Sequence, residues 1–269
     1  MPTAPLSQLP LPLILMLLDF LKAYDKVAHL FLLKALEYFG FGPFAIACFQ
    51  TLYSKREAFI RTRFGCTNNY KIKCGVIQGG PLSCIMYVVG HELVVNGARR
   101  TAAITDPSHP LISAEIKAVS FADDTEAFLN GIAALIEFVL LLKRYSRASS
   151  AAINWPKSEF LLLGSMEGKE QEVLAAIAPH LPPNQTPTFL AIGQNSKTLG
   201  VPLGVALDPT TVWQDLLEKC ARKAEAWRTM PLTLLQRIYV ANMIVAAPFW
   251  YSACFMYCPP MLSNRSETS

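Results

Sequence analysis

Charge is scarce in this chain. Only 16% of its 269 residues are Asp, Glu, Lys or Arg, against 52% hydrophobic. Extended disorder is therefore excluded for most of the length, and there is enough apolar material for a sizeable core. The net charge of +4 permits nucleic acid as a partner without arguing for it. CxxC spacing is missing: the seven cysteines are odd in number, and the nearest pair, Cys254 and Cys258, has no histidine beside it. That excludes a zinc framework or a disulfide scaffold, and the thiols read as reduced ones of an intracellular protein, nuclear or cytoplasmic. Internal repeats and low-complexity tracts are absent as well. The first apolar run, "LPLPLILMLLDFL", has no basic leader, contains prolines and closes on Asp19, so it reads neither as a signal peptide nor as a span. A second run, "IYVANMIVAAPFWYSACFMY" over 238–257, is uncharged and long enough for a membrane helix. Asn242, Pro248 and several small residues interrupt it, and no stable membrane association is expected. A membrane-associated protein anchored by 238–257 stays as an alternative.

Residues 11–19 read as a buried strand closed by Asp19. "KVAHLFLLKALEYFG" has helical spacing and stops at Gly40, and "FGPFAIACFQTLYS" reads as a second helix with Pro43 near its start. "EAFIRTRF" and "YKIKCGVI" flank the turn residues "GCTNN" as a hairpin. "QGGPLSCIMYVVGHELVVNGARR" opens as a glycine-rich loop and continues as a helix, and another helix spans 131–149. "NWPKSEFLLLG" is a loop running into a strand, 179–196 a surface loop or linker, and "KTLGVPLGV" a short hairpin. From Thr210 to Pro259 the pattern is helical.

The stretch "AVSFADDTEAFL" places Asp123 and Asp124 side by side in an apolar, strand-like run. Burying adjacent carboxylates is costly, whereas the tip of a tight hairpin lets both face one cleft. An Asp pair at a turn is ordinary by itself. Asp19, at the end of another strand, changes the case: if that strand lies beside the hairpin, Asp19 and Asp123 can meet across neighbouring strand ends. Converging carboxylates need a cation, and Mg2+ takes hard oxygen ligands and shares its shell with phosphates. Two such ions about 3.5–4 Å apart would clamp the attacking and departing oxygens of a phosphoryl transfer, with Mn2+ as a substitute. Asp25, at the start of a helical pattern, reads as structural.

"LLDFLKAYDKVAHLFLLKALEYFGF", "GVIQGGPLSCIMY", "FADD", "NWPKSEFLLLG" and "TLGVPLG" occur in that order. Together they resemble the palm motifs of reverse transcriptases (RNA-directed DNA polymerases) from non-LTR, LINE-type retrotransposons, over roughly residues 13–258. The resemblance implies an α+β fold: a right-hand palm, an antiparallel sheet with helices on one face, followed by a helical thumb-like subdomain, with the fingers largely absent. It implies an irregular 1–12, a palm over 13–204, a thumb-like 205–258 and a disordered 259–269. Asp19, Asp123 and Asp124 match the metal-binding acids, and Tyr24 the aromatic under the incoming sugar that acts as a gate against a 2′-hydroxyl. Gln78, Gly79, Pro81, Leu82 and Ser83 match the loop and helix start that contact nucleotide and template. Lys157 matches a lysine proposed to protonate the leaving pyrophosphate, and Gly200 and Gly204 a hairpin that grips the primer. The implied partners are an RNA template, a DNA primer and dNTP. The residues themselves leave other readings open: Tyr24 as a core aromatic, Gln78 as a helix cap, Lys157 as a solvated lysine. Lys55, Arg56, Arg61, Arg63, Lys71, Lys73, Arg222, Lys223 and Arg228 fit a phosphate path or an ordinary solvated face.

The chain departs from that pattern in places. Eighteen residues precede Asp19, with no Lys or Arg among them, and Cys84 stands where the family has proline. Neither an endonuclease region nor a cysteine–histidine knuckle is read. The expectation is an N-terminally truncated fragment of a transposable element, its fingers lost or supplied by a separate segment of the same element. Metal ligation is expected to survive and nucleotide binding to suffer. Exposed apolar surface and poor solubility should follow. The second functional reading is a catalytically inactive remnant that at most binds nucleic acid.

Overall fold

The computed structural model describes residues 11–53, 56–77, 79–80, 82–100, 118–191, 193–194, 196–198, 201–203 and 208–253. The chain divides into two compact units, 1–189 and 190–269. The palm boundary read from the sequence, after 204, lies inside the second of these.

The first unit is built on a strand that is apolar along its whole length, β1 (Pro12–Leu18). A short β2 (Phe20–Leu21) and a single turn, α1 (Ala23–Lys26), lead into α2 (His29–Tyr38) and α3 (Pro43–Tyr53). An exposed double hairpin follows, in which β3 (Glu57–Ala58) pairs with β6 (Tyr70–Lys71) and β4 (Arg61–Thr62) with β5 (Gly65–Cys66). Then come α4 (Ser83–Arg99), β7 (Ala118–Phe121), β8 (Asp124–Asn130) and α5 (Gly131–Ser149). β9 (Ala152–Ile153), a 3-10 turn at Trp155–Lys157, β10 (Glu159–Gly164), α6 (Glu170–Ile177) and β11 (Thr188–Phe189) complete the unit.

The sheet order is β11-β10-β1-β8-β7, antiparallel except for the β10–β11 pair. β1 is central. Register puts Ile14 opposite Leu129 and Leu162, and Met16 opposite Ala127 and Phe160. These side chains alternate onto one face, are fully or almost fully buried, and belong to the same core cluster as Leu135, Phe138 and Leu142 of α5. α4 comes close enough to α5 that a Cβ on Gly97 would press on the end of the Leu141 side chain, which would have to move aside. Helices on one face of an antiparallel sheet match the expected α+β palm.

The sequence reading missed α6. Eight residues are too few for a stable isolated helix. It forms because Val173 and Ile177, one turn apart, are fully buried in the core.

The second unit holds the hairpin β12 (Ser196–Thr198) and β13 (Val201–Leu203), then α7 (Pro209–Arg228). Asp208 caps α7 by accepting from the N–H groups of Thr210 and Thr211. α8 (Leu234–Val240) starts with a capping box between Thr233 and Gln236. The chain then widens into a π-helical stretch at Ala241–Val245 and resumes as α9 (Ala247–Ala253), with Pro248 in its first turn. The apolar run 238–257, kept as an alternative membrane anchor, is thus broken into short pieces over its described residues. Among the described residues, no helix is long and apolar enough to cross a membrane.

Candidate active site

Asp19 follows the last residue of β1, and Leu18 pairs with Thr125 of β8. The β7–β8 connection is a two-residue turn at Ala122–Asp123, with Phe121 opposite Asp124. Ala122 takes a left-handed φ of 58°, a conformation that costs a non-glycine residue on the order of 1 kcal/mol. Three carboxylates, at 19, 123 and 124, therefore share one end of neighbouring central strands. Asp124 is exposed, while Asp19 and Asp123 are half-buried. The pKa of Asp124 is raised, first by its partial burial and then by the charges of Asp123 and Asp19. Glu126, next on the same face of β8, is raised by burial and by Asp124. Among the described residues, no three His, Cys, Asp or Glu side chains close on a single ion.

Asp19 is held on three sides by the turn after β9. Its N–H donates to the Ser158 Oγ at 3.2 Å, its C=O accepts from the Asn154 N–H at 2.8 Å, and its Oδ2 accepts from the Asn154 Nδ2 at 2.7 Å. Lys157 sits on that turn with its side chain exposed.

Tyr24 is half-buried, its ring stacked on Tyr87 at 4.5 Å, which in turn stacks on His91 at 5.5 Å. Burial raises the Tyr24 pKa, with the Cys84 thiol and the Asp123 carboxylate adding to it, so the phenol stays protonated. Tyr24 thus belongs both to the core wall and to the carboxylate cluster. His91 was not singled out in the sequence. Its signal there is a lone histidine among the apolar positions of the buried face of α4. It is buried, its Nε2 lies 2.7 Å from the Thr125 Oγ1, and its Nδ1 is unpartnered among the described residues. Burial lowers its pKa to about 4, so the ring is neutral. A bare Nδ1 lone pair is cheaper to bury than an unpaired N–H, so Nε2–H donates to Thr125. α4 is thereby tied to β8 one residue past the acidic pair.

The glycine loop is positioned by a lacing between 24–29 and 73–76. The Val76 N–H donates to the Tyr24 C=O, the Gly75 N–H to the Val27 C=O and the His29 N–H to the Lys73 C=O, at 2.8–2.9 Å. Gly75 has φ +82°, and a Cβ there would lie 2.8 Å from the Asp25 carbonyl oxygen. Gly79 is exposed in the loop. Ser83 is buried, and its hydroxyl donates to the Ile77 carbonyl, so it closes the loop instead of facing solvent. Leu82 is exposed. Gln78, Pro81, Gly200, Gly204 and Lys55 lie outside the described residues.

Arg61, Arg63, Lys71 and Lys73 are exposed on and beside the double hairpin, where Arg63 lies over the Phe64 ring at 4.5 Å. In the second unit, Arg228 is paired with Glu225 at 3.0 Å and Lys223 donates to the Ile244 carbonyl at 3.2 Å. Arg222 is exposed.

Residues 4–220 match the family model for reverse transcriptase (RNA-dependent DNA polymerase). The chain belongs to the reverse transcriptase family. A protein of transposon TX1 from Xenopus laevis, described as an uncharacterized 149 kDa protein, is 29% identical over 240 residues, covering 87% of this chain and 17% of its own length. A retrovirus-related Pol polyprotein from the type-1 retrotransposable element R2 of Popillia japonica is 25% identical over 246 residues, covering 87% of this chain and 37% of its own. This reverse transcriptase chain thus spans well under half the length of either relative, and both relatives are proteins of transposable elements. A telomerase structure from Candida tropicalis with a telomeric RNA fragment matches with a TM-score of 0.44 at 12% identity, over 91% of this chain and 39% of that one. Reverse transcriptases bind nucleic acid and work with divalent metal ions. The carboxylates at 19, 123 and 124 are a hard-oxygen donor set suited to such an ion. Mg2+ requires only one or two protein carboxylates when substrate phosphates complete its shell.

Proposed function

We propose that this chain is the palm and helical thumb-like part of a retrotransposon reverse transcriptase that extends a DNA primer on an RNA template. In this reading Asp19, Asp123 and Asp124 hold two divalent ions, Mg2+ by their chemistry. The strand order carries the reading: β1 beside β8 sets Asp19 next to the turn that bears the acidic pair. The raised pKa of Asp124 supports the same grouping, because like charges within reach favour whatever cation relieves them. When bound, the ions polarise phosphoryl oxygens and neutralise developing charge. The Tyr24 ring, stacked on Tyr87, is a rigid floor beside Asp123 for the sugar of a dNTP. Lys157 supplies a proton to the departing pyrophosphate from the turn that holds Asp19. The exposed arginines and lysines of the double hairpin supply sequence-independent phosphate contacts.

Primer extension on an RNA template with Mg2+ tests the proposal. Incorporation by the wild-type chain, lost to background in Asp123→Asn, is the expected result. A second reading is a catalytically silent remnant that at most binds nucleic acid, for which the exposed Arg61, Arg63, Lys71 and Lys73 suffice. Template–primer retardation without incorporation at any enzyme level would replace the first reading with the second.

A further inference from the structure

We propose that Asn154 is a positioning residue for Asp19: its amide fixes which carboxylate oxygen is left open to a divalent ion. This rests on the reading of Asp19 as a metal ligand. The two residues are 135 positions apart in the chain, yet the Asn154 Nδ2 donates to the Asp19 Oδ2 at 2.7 Å. A carboxylate only accepts, and the NH2 of an asparagine is its only side-chain donor, so this contact has one polarity. It engages Oδ2, while Oδ1 accepts no hydrogen bond among the described residues.

The turn does not need the amide in order to close. The Asn154 C=O accepts from the Lys157 N–H at 3.0 Å, the Ser158 N–H at 2.9 Å and the Ser158 Oγ at 3.1 Å. Trp155 and Ser158 are buried, and Pro156 stiffens the 3-10 turn between them. The Asn154 N–H is already bonded to the Asp19 carbonyl. The backbone of Asn154 is thus fixed at both ends, and its side chain is left to act on Asp19 alone. No hydrogen bond reaches the side chain of Asp123 or Asp124 among the described residues. A preorganised carboxylate just after β1 therefore lies at the same end of the sheet as two that are free to adjust at a hairpin tip. Outer partners of this kind orient metal ligands, and their loss costs roughly tenfold to a hundredfold in metal affinity.

The test is Mn2+ binding to the full chain without nucleic acid, read by the loss of the free-ion electron paramagnetic resonance signal. Asp19→Asn and Asn154→Ala should each weaken binding by about tenfold or more, with unchanged far-ultraviolet dichroism. Ser158→Ala removes an anchor of the same turn and the acceptor of the Asp19 backbone N–H, but keeps the amide donor to the carboxylate, and should change affinity less than about threefold. If Asn154→Ala does not fold, Asn154→Ser, polar but too short to reach Asp19, carries the same expectation. Weakening in Asp19→Asn with wild-type affinity in the Asn154 variants would overturn the proposal while leaving Asp19 as a ligand. Equal weakening in Ser158→Ala would assign the effect to the integrity of the turn and also overturn it. Wild-type affinity in Asp19→Asn would remove the metal reading itself, and this role of Asn154 with it.

Discussion

His91 sits 2% exposed beneath Thr125, ringed by Phe20, Tyr87 and Tyr145. Burial holds its pKa at about 4, against 6.5 for an ordinary imidazole. The unfolded chain therefore binds an extra proton between about pH 6.5 and 4, and stability falls as pH falls through that window. From pH 7 to pH 5 the loss from this residue is roughly 2 kcal/mol. Asp124 and Glu126 act with the opposite sign, since their raised pKa values favour proton uptake by the folded chain in acid. His91→Phe isolates the term: urea unfolding of the variant should lose about 2 kcal/mol less than wild type between those pH values. Identical pH slopes in the two proteins would mean that the imidazole is not buried neutral. This residue was overlooked in the sequence because one histidine on an apolar helix carries no motif. Asn154 was overlooked because its partner is 135 positions away. That Asp19, Asp123 and Asp124 share one strand end was legible, because Asp19 closes an apolar strand and the acidic pair sits at a hairpin tip.

At the scale of elements, the alternation of β8 and the apolar run of β1 were readable because one strand has a polar face and the other has almost none. α5 begins and ends at the residues expected, Gly131 and Ser149, because its apolar spacing is sustained over five turns' length. α6 was not readable, since its stability comes from the core and not from its eight residues. The lacing of 24–29 to 73–76 was equally invisible, being made by backbone groups. Its hinge is Gly75, where a Cβ would need to lie 2.8 Å from the Asp25 carbonyl oxygen at φ +82°. Gly75→Ala should cost roughly 2 kcal/mol or more in chemical denaturation. It should also shift Tyr24, whose carbonyl accepts from Val76. A variant as stable as wild type would show that the two segments are not packed this closely.

Over the whole molecule, the reverse transcriptase family membership rests on residues 4–220, and the chain covers 17% and 37% of two relatives. Large apolar side chains stand exposed in both units, among them Phe44 at 82%, Phe64 at 85% and Leu235 at 79%. That exposure fits the expected poor solubility of the chain alone. The account of function depends on a cation gathering carboxylates that the sheet has only brought near one another. The most direct measurement is a crystal of the full chain grown with Mn2+ and examined by anomalous diffraction. The account predicts a peak about 2.1–2.2 Å from oxygens of both Asp19 and Asp123. A fully occupied Mn2+ elsewhere, with none between these two side chains, would contradict it.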